Sequence, residues 1–336
     1  MNSDGIEKTK LSETRLQMIP DNTQITVVDA GARYGVHPSW KPVIDIVNFN
    51  LFEVEPIECA RLTKKYSDMK NVQVSGIALG SKEMDLKFAF REHRGLTSTF
   101  SLSDEVLRDN YKPAEFQENS SFIAKVMPLD TLFPNMDVDF LKLDVEGAEL
   151  EILNGAESLM ATSILGVRSE VCFSQVYKDA PLFGDLDRKI RDFDFQLVNL
   201  DYNGRGAAKN EFTLDDRYGR LISTDAVWIL PISKFTSHSD VETSQKILKQ
   251  ALFLTLNGAT DLAIDVLDES LSLGLNLFQK SSTPTAIALK KRLALLFKSL
   301  LDKPQFTTKQ ITEKWSHLYQ EEFPIMSGFW ESDFYN

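Results

Sequence analysis

Five charged residues in the middle of the chain have the types and the spacing that acid–base or metal chemistry requires. They are Lys142, Asp144, Glu146, Glu149 and Glu170. A carboxylate can accept a proton from a hydroxyl group, and neighbouring carboxylates can bind a divalent cation. Because side chains two positions apart share one face of a strand, we expect the Lys142 ammonium group to lie beside the Asp144 carboxylate.

The segment VDFLKLDVEGAELEILNGA, residues 138–156, must position these side chains. It begins as a short apolar strand, and apolar residues then recur on one helical face at Ala148, Ile152, Ala156 and Leu159. Asp144 lies between strand and helix, where open α/β sheets bind their ligands. Aspartate also commonly caps a helix. Glu146 and Glu149 should lie in the first helical turn, where the helix dipole favours anions.

A turn with two glycines near the start of the chain predicts a close approach between a ligand and the backbone. Residues 25–28 have the pattern of a buried strand, and Asp29, Gly31 and Gly35 follow in the sequence DAGARYG. Glycine permits such an approach because it lacks a Cβ atom and tolerates positive φ. The alternative is an ordinary strand-to-helix turn. Since the pattern GxGxxG is absent, a nucleoside without a phosphate chain fits better than a dinucleotide.

An acid at the end of the second predicted strand could bind the ribose of this nucleoside. The strand covers residues 49–54, and Glu55 follows it, 24 residues after Gly31. A ribose diol is typically bound by paired hydrogen bonds to a carboxylate at this position. Glu53 is a nearby rival, but we expect its side chain to point to the opposite face.

The remaining pattern predicts a parallel, doubly wound sheet. A helix over 57–66 and a strand over 72–79 complete a β-α-β-α-β order. Residues 84–90 alternate like an edge strand, and the polar loop after them should cover the mouth of the pocket. Strands over 195–200 and 225–230 should form a hairpin that closes one edge of the sheet.

Composition predicts a soluble protein with little affinity for polyanions. The chain has 336 residues, 37 of them basic and 49 acidic, so its net charge of -12 argues against nucleic acid or anionic membranes as partners. Cys59 and Cys172 are the only cysteines, which favours a reducing, cytoplasmic compartment. No apolar run reaches the length of a membrane span.

Three regions are predicted along the chain. Residues 1–24 form a polar lead-in, residues 25–235 an α/β domain and residues 236–336 a helical extension. Four amphipathic helices are expected in the extension, over 241–256, 260–273, 284–301 and 308–319. They offer a surface for a second copy of the chain or for another protein.

Five segments together resemble the FkbM family of S-adenosylmethionine-dependent O-methyltransferases. They are VVDAGARYG at 27–35, LFEVEP at 51–56, SGIALG at 75–80, MPLDTL at 127–132 and DFLKLDVEGAELEILNGA at 139–156. The resemblance implies an α/β fold of the Rossmann-like class I methyltransferase type, with a mostly parallel seven-stranded sheet. The helical extension lies outside it. Arg33 and Tyr34 depart from the small polar residues common at their positions.

The resemblance also implies a role for each site residue. The residues implied for S-adenosylmethionine are Asp29, Gly31 and Gly35 at the methionine end, Glu55 at the ribose, Ile77 and Ala78 at the adenine, and Asp144 near the sulfur. The acceptor would be a hydroxyl group of a sugar, a glycan or another natural product.

Methyl transfer to a hydroxyl needs an oxygen held behind the methyl carbon and a group that takes the proton. Asp144 is the preferred base, and Lys142 and Glu170 are the other catalytic candidates. In catechol-type methyltransferases, acids at the ends of the same two strands chelate magnesium, and the pair Asp144 and Glu170 looks similar. A divalent metal is not preferred, because the sequence offers no clear third ligand.

Two other function classes are alternatives. One is a catalytically silent methyltransferase-like domain that acts as a binding protein through its helical tail. The other is a nicotinamide dehydrogenase, against which the missing third glycine argues.

Overall fold

The computed structural model describes residues 24–104, 117–206, 220–236, 240–259, 261–263 and 265–266. Contacts along the chain divide it into two compact units. One unit contains residues 25–37 and 47–236, and the other contains residues 38–46 together with both terminal regions. The helices predicted over 284–301 and 308–319 lie outside the described residues, as do residues 1–23 of the lead-in.

The described residues of the larger unit form ten strands. They are β1 Ile25–Ala30, β2 Val47–Phe52, β3 Val72–Ser75, β4 Ala78–Leu79, β5 Met84–Arg91, β6 Glu118–Met127, β7 Phe140–Leu143, β8 Gly166–Cys172, β9 Gln196–Gly206 and β10 Arg220–Ile229. Its α-helices are α1 Pro56–Lys65, α2 Leu129–Leu132, α3 Glu149–Asn154, α4 Glu157–Thr162 and α5 Phe183–Arg191.

Seven of these strands form the main sheet, in the order β3-β2-β1-β7-β8-β10-β9. The first five in this order are parallel, and β10 runs antiparallel to both of its neighbours. The mostly parallel seven-stranded sheet is therefore confirmed, and so is the β9–β10 hairpin at its edge. Arg168 fastens the hairpin to β8, since its guanidinium donates to Asp225 at 2.6 Å and to Asp201 at 2.7 Å.

The single strand predicted over 72–79 is wrong. Residues 72–75 pair with β2 in the main sheet, whereas residues 78–79 pair with β6 in a separate sheet of order β4-β6-β5. The chain leaves the main sheet at Gly76, and the Ser75 hydroxyl accepts a hydrogen bond from the Ile77 N–H at 3.4 Å. The prediction that residues 84–90 form an edge strand is confirmed by β5.

The central helix is divided in two, contrary to the continuous face predicted over 148–159. The first helix, α3, ends at Gly155, and α4 begins after Ala156. A Cβ atom at Gly155 would lie 2.0 Å from the Gly80 carbonyl oxygen. The two backbones therefore approach so closely at this point that only glycine fits, and the helix is interrupted there.

The core of the larger unit surrounds the central strand β7. All four residues of β7 are buried, as expected of a parallel strand covered on both faces. Leu141 and Leu143 pack in one apolar cluster with Ile152 and Leu153 of α3 and with Trp228 of β10. This packing fixes the end of β7, and hence the position of the residues that follow it.

The described residues of the smaller unit include 3₁₀ turns over Pro38–Ile46, which are interrupted at Val43, and helix α6 over Asp240–Leu256; residues 261–263 and 265–266 are also helical. Within it the rings of Trp40 and Phe253 pack with their centroids 6.1 Å apart. Helix α6 confirms the helix predicted over 241–256. Among the described residues, no helix is both long enough and apolar enough to cross a membrane.

Replacing Gly31 should strain the junction between β1 and β7. An added Cβ atom would lie 1.7 Å from the Asp144 carbonyl oxygen, and the φ of +79° is unfavourable for other residues. We expect Gly31→Ala to lower the thermal unfolding midpoint by roughly 5–10 °C, as a few kcal/mol of strain would do in a domain of this size. The matched control is Gly184→Ala in α5, where a Cβ atom meets nothing within 4 Å. An unchanged midpoint in Gly31→Ala would contradict the tight junction.

Candidate active site

Lys142 lies between two aspartates at the carboxyl ends of β1 and β7. Its ammonium group is 3.0 Å from Asp144 Oδ2 and 3.4 Å from Asp29 Oδ1. Burial disfavours the charged form of Lys142, but attraction to both aspartates outweighs it and raises the Lys142 pKa. Burial also raises the pKa of Asp29 to about 6, against the opposing effect of Lys142. The expected proximity of Lys142 and Asp144 is confirmed.

Three carboxylates meet beyond this ion pair. One oxygen each of Asp144, Glu146 and Glu170 lies within 4.8 Å of the others. The residue that caps α3 is Ala148, so Asp144 does not cap the helix. Glu146 lies before the helix with a φ of 60°, and its predicted place in the first helical turn is wrong. The side chain of Asp144 is 36% exposed, which leaves it open to a ligand.

Glu149 has a structural role. Its carboxylate accepts hydrogen bonds from the Val145 N–H at 2.8 Å and the Gly147 N–H at 3.1 Å. These bonds hold the loop between β7 and α3, so that the loop carries Asp144 and Glu146 toward Glu170. Of the two acids expected in the first helical turn, Glu149 alone is found there.

Burial and the crowding of acids raise the pKa values of Glu146 and Glu170. Burial raises the pKa of Glu146 to about 8, with a further contribution from repulsion by Asp144. Burial also raises the pKa of Glu170 well above its usual value, with repulsion by Glu146 and Asp144 adding to the effect. Near neutral pH, Glu146 therefore favours the protonated, neutral form, which can donate a hydrogen bond, and the pKa of Glu170 is shifted in the same direction.

Sequence analysis did not identify the residues that hold Glu146 in place. The buried Tyr177 hydroxyl donates to Glu146 Oε2 at 2.6 Å, and the Ser98 hydroxyl donates to the Glu146 carbonyl at 2.6 Å. Arg91 stacks over the Tyr177 ring at 5.3 Å and donates to the Phe100 carbonyl at 2.6 Å. Ser98 lies in the loop predicted to cover the pocket, but nothing in the sequence links Tyr177 to that loop.

The glycine turn is anchored at the ends of β1 and β2. The N–H groups of Gly31 and Ala32 both donate to the Phe52 carbonyl, at 3.0 and 3.1 Å. Gly31 and Gly35 have φ values of 79° and 91°, so both use the conformational freedom expected of them. The contacts that exclude a Cβ atom at Gly31 are made by Asp144 of the chain itself, so the ligand turn and the ordinary strand-to-helix turn both stay predictions.

Glu55 lies at the end of β2, directly before α1, and is buried. Glu53 is also buried, and its Oε1 accepts a hydrogen bond from the Glu55 N–H at 2.8 Å. The expectation that Glu53 points away from Glu55 is therefore wrong: the Glu53 carboxylate lies at the Glu55 backbone, and side chains two positions apart on a strand share one face. Burial raises the pKa of Glu53 to about 7.

Ala78 lies in a small apolar cluster next to this corner. It packs with the buried Phe88 and Val126, and Val54 borders the same cluster. The preceding residue, Ile77, is partly buried. Both residues are apolar, as a contact with the flat face of an adenine would require, and their role at the adenine stays a prediction.

The three acids also alter the argument about metals. The sequence indicates no third metal ligand beside Asp144 and Glu170, but in the structure the Glu146 carboxylate lies close to both of these acids. Three carboxylates at this spacing suit a divalent cation. Lys142 already pairs with Asp144 and Tyr177 with Glu146, so the cluster has internal partners for two of its members.

The sequence model described as "Methyltransferase FkbM domain" matches residues 29–197, just over half of the 336 residues. The chain belongs to the FkbM methyltransferase family. This methyltransferase has the Rossmann-like class I fold, and its cofactor is S-adenosylmethionine. The glycine turn, Glu55 and Ala78 stay predicted to bind the methionine, ribose and adenine parts of that cofactor.

Solved structures similar to the methyltransferase include three bacterial proteins. A precorrin-6y C5,15-methyltransferase from Geobacter metallireducens is 10% identical over 66% of this chain and 87% of its own, with a TM-score of 0.29. An rRNA methylase from Streptococcus thermophilus is 8% identical over 66% of this chain and 94% of its own, with a TM-score of 0.30. A SAM-dependent methyltransferase from Aquifex aeolicus is 11% identical over 68% of this chain and 100% of its own, with a TM-score of 0.29. Likenesses this weak support no functional argument. No curated protein sequence matches.

The raised pKa of Glu146 predicts a pH-dependent effect of its neutral replacement. The folded pKa, about 8, exceeds the ordinary 4.5, so the fold favours the protonated form and loses stability as pH rises between these values. The groups facing Glu146 are Asp144, Glu149, Glu170, Tyr177 and Arg91. We expect the midpoint of Glu146→Gln minus that of the wild type to increase from about pH 5 to about pH 8.5.

The control for this measurement is Glu118→Gln, at an exposed position on β6. Its midpoint difference should stay constant over the same pH range. If the difference for Glu146→Gln is equally constant, Glu146 does not retain a proton in the fold.

Proposed function

We propose that this methyltransferase transfers the methyl group of S-adenosylmethionine to a hydroxyl oxygen of a sugar, a glycan or a related natural product. The observation that supports this most directly is the partly exposed Asp144 carboxylate beside the glycine turn. Its own backbone carbonyl lies against Gly31, so the proposed cofactor turn and the proposed base are in contact. Asp29, Gly31 and Gly35 would bind the methionine end of the cofactor.

Asp144 is oriented for proton transfer by its partner. Lys142 contacts Asp144 Oδ2, which leaves Oδ1 for the acceptor hydroxyl. Asp144 takes the hydroxyl proton as the oxygen forms its bond to carbon. S-adenosylmethionine, when bound, supplies a methyl group on a positively charged sulfur, and the electrons of the broken carbon–sulfur bond remain on sulfur.

Glu146 and Glu170 support an acceptor with several hydroxyl groups. In their protonated forms each can donate one hydrogen bond and accept others. A ring with neighbouring hydroxyls could pair with Asp144 through one hydroxyl and with Glu170 through the next. This pairing of donors and acceptors is typical of sugars, and a flat hydrophobic acceptor would leave the acids unsatisfied.

Asp144→Asn should abolish methyl transfer and keep cofactor binding. The amide preserves the shape of the side chain but cannot take a proton, so we expect transfer from labelled S-adenosylmethionine to a pool of polar glycans to fall by at least about a hundredfold. Calorimetry with S-adenosylhomocysteine should give nearly the wild-type affinity. Asp194→Asn, at a surface ion pair with Lys234, is the matched control. A transfer rate in Asp144→Asn equal to that of the control would remove Asp144 from the mechanism.

We propose that the reaction does not depend on a metal, because Lys142 supplies a positive charge to Asp144 within the chain. Titration of the protein with Mn²⁺, followed by electron paramagnetic resonance, should then detect no site that is lost in Glu170→Gln. Methyl transfer should also persist after EDTA and dialysis. Stoichiometric Mn²⁺ binding that disappears in Glu170→Gln would instead support a metal held by the three acids.

A further inference from the structure

The corner after β2, where we propose that the ribose binds, contains two acids that need a positive charge. Glu53 and Glu55 are both buried, and the Glu53 carboxylate accepts the N–H of Glu55. Glu58, in the first turn of α1, adds a third acid nearby, and repulsion by Glu58 and Glu55 contributes to the raised pKa of Glu53. Buried carboxylates without a compensating cation are costly.

Arg33 supplies this charge. Its guanidinium group lies 3.4 Å from Glu55 Oε2, and its side chain is 19% exposed against 5% for Glu55. Arg33 also acts on Glu53, where its charge opposes the rise in pKa. The contact involves one nitrogen and one oxygen, so the remaining lone pairs of Glu55 stay available for other donors.

The turn that carries Arg33 is hydrogen-bonded to Arg61 of α1 and to Tyr66, the residue directly after α1. The Arg61 guanidinium donates to the Arg33 carbonyl at 3.2 Å, and Arg61 itself pairs with Glu58. Beyond the turn, the Val36 N–H donates to the Tyr66 hydroxyl at 3.0 Å. These hydrogen bonds hold the backbone at Arg33 in place, and from there its side chain reaches Glu55.

We propose that Arg33 is a positioning residue, which orients the Glu55 carboxylate to receive the two ribose hydroxyls of S-adenosylmethionine. The proposal rests on the ribose role of Glu55. It accounts for an arginine beside two buried acids, because the additional acid at Glu53 requires a cation and Arg33 provides it. Arg33 acts through Glu55 and need not touch the cofactor.

Calorimetry with S-adenosylhomocysteine tests the proposal without an acceptor. We expect Arg33→Gln to weaken binding about tenfold, corresponding to the loss of one charge-assisted contact of about 1.4 kcal/mol. Glu55→Gln should weaken binding at least as much. The double variant should bind no more weakly than Glu55→Gln alone, since Arg33 has no effect without Glu55. Arg33→Lys should recover part of the affinity.

Arg188→Gln is the matched control, because it removes the same charge from an exposed arginine on α5. Thermal unfolding of each variant establishes that it folds, and Arg33→Lys provides the test if Arg33→Gln does not. Wild-type affinity in Arg33→Gln, or losses that add in the double variant, would overturn the role of Arg33 while leaving Glu55 in place. Wild-type affinity in Glu55→Gln would overturn both assignments.

Discussion

The buried ammonium group of Lys142 is the interaction on which the rest of the site depends. It joins Asp29 at the end of β1 to Asp144 at the end of β7, and these strands are neighbours in the sheet. Two aspartates this close repel each other, which contributes to the raised pKa of Asp29. One cation between them allows both acids to lie at the same edge. A buried ion pair of this kind brings little net stability, but losing one partner leaves a charge that burial makes costly. Lys142 thus links Asp29 and Asp144 electrostatically across the neighbouring strands β1 and β7.

Close backbone packing makes this arrangement precise. The absence of a Cβ atom at Gly31 lets the end of β1 touch the Asp144 carbonyl, and the Asp144 N–H donates to the Ala30 carbonyl at 3.1 Å. The loop between β7 and α3 is held by hydrogen bonds to Glu149, to Tyr177 and to Ser98. Its position therefore depends on three separate parts of the chain. Methyl transfer demands this rigidity, because the enzyme's main contribution is to align the acceptor atom with the methyl carbon.

Local pattern was sufficient to predict the sheet and the pair formed by Lys142 and Asp144. Alternation and apolar runs depend on neighbouring residues, so β1, β2, β7 and the β9–β10 hairpin could be predicted. The break at Gly155 could not, because it arises from contact with Gly80 in a distant loop. Tyr177 was missed for a similar reason, since it lies 31 residues from Glu146 and reaches it only in the folded chain. The orientation of Glu53 was mispredicted for a different reason, because strand alternation places positions 53 and 55 on the same face.

The charge of the acid cluster follows from its partners and determines its chemistry. Asp144 has a cation at 3.0 Å, whereas the Glu146 carboxylate accepts a hydrogen bond from a neutral phenol and is affected less strongly by Arg91. Burial and repulsion among the acids raise the pKa of Glu146 to about 8 and also raise the pKa of Glu170. The result is one carboxylate that can accept a proton beside two carboxyl groups that can donate hydrogen bonds. A single hydroxyl would use only the first of these, and an acceptor with adjacent hydroxyls would use all three. The asymmetry that Lys142 imposes on three chemically similar acids therefore supports the proposed polyhydroxylated acceptor.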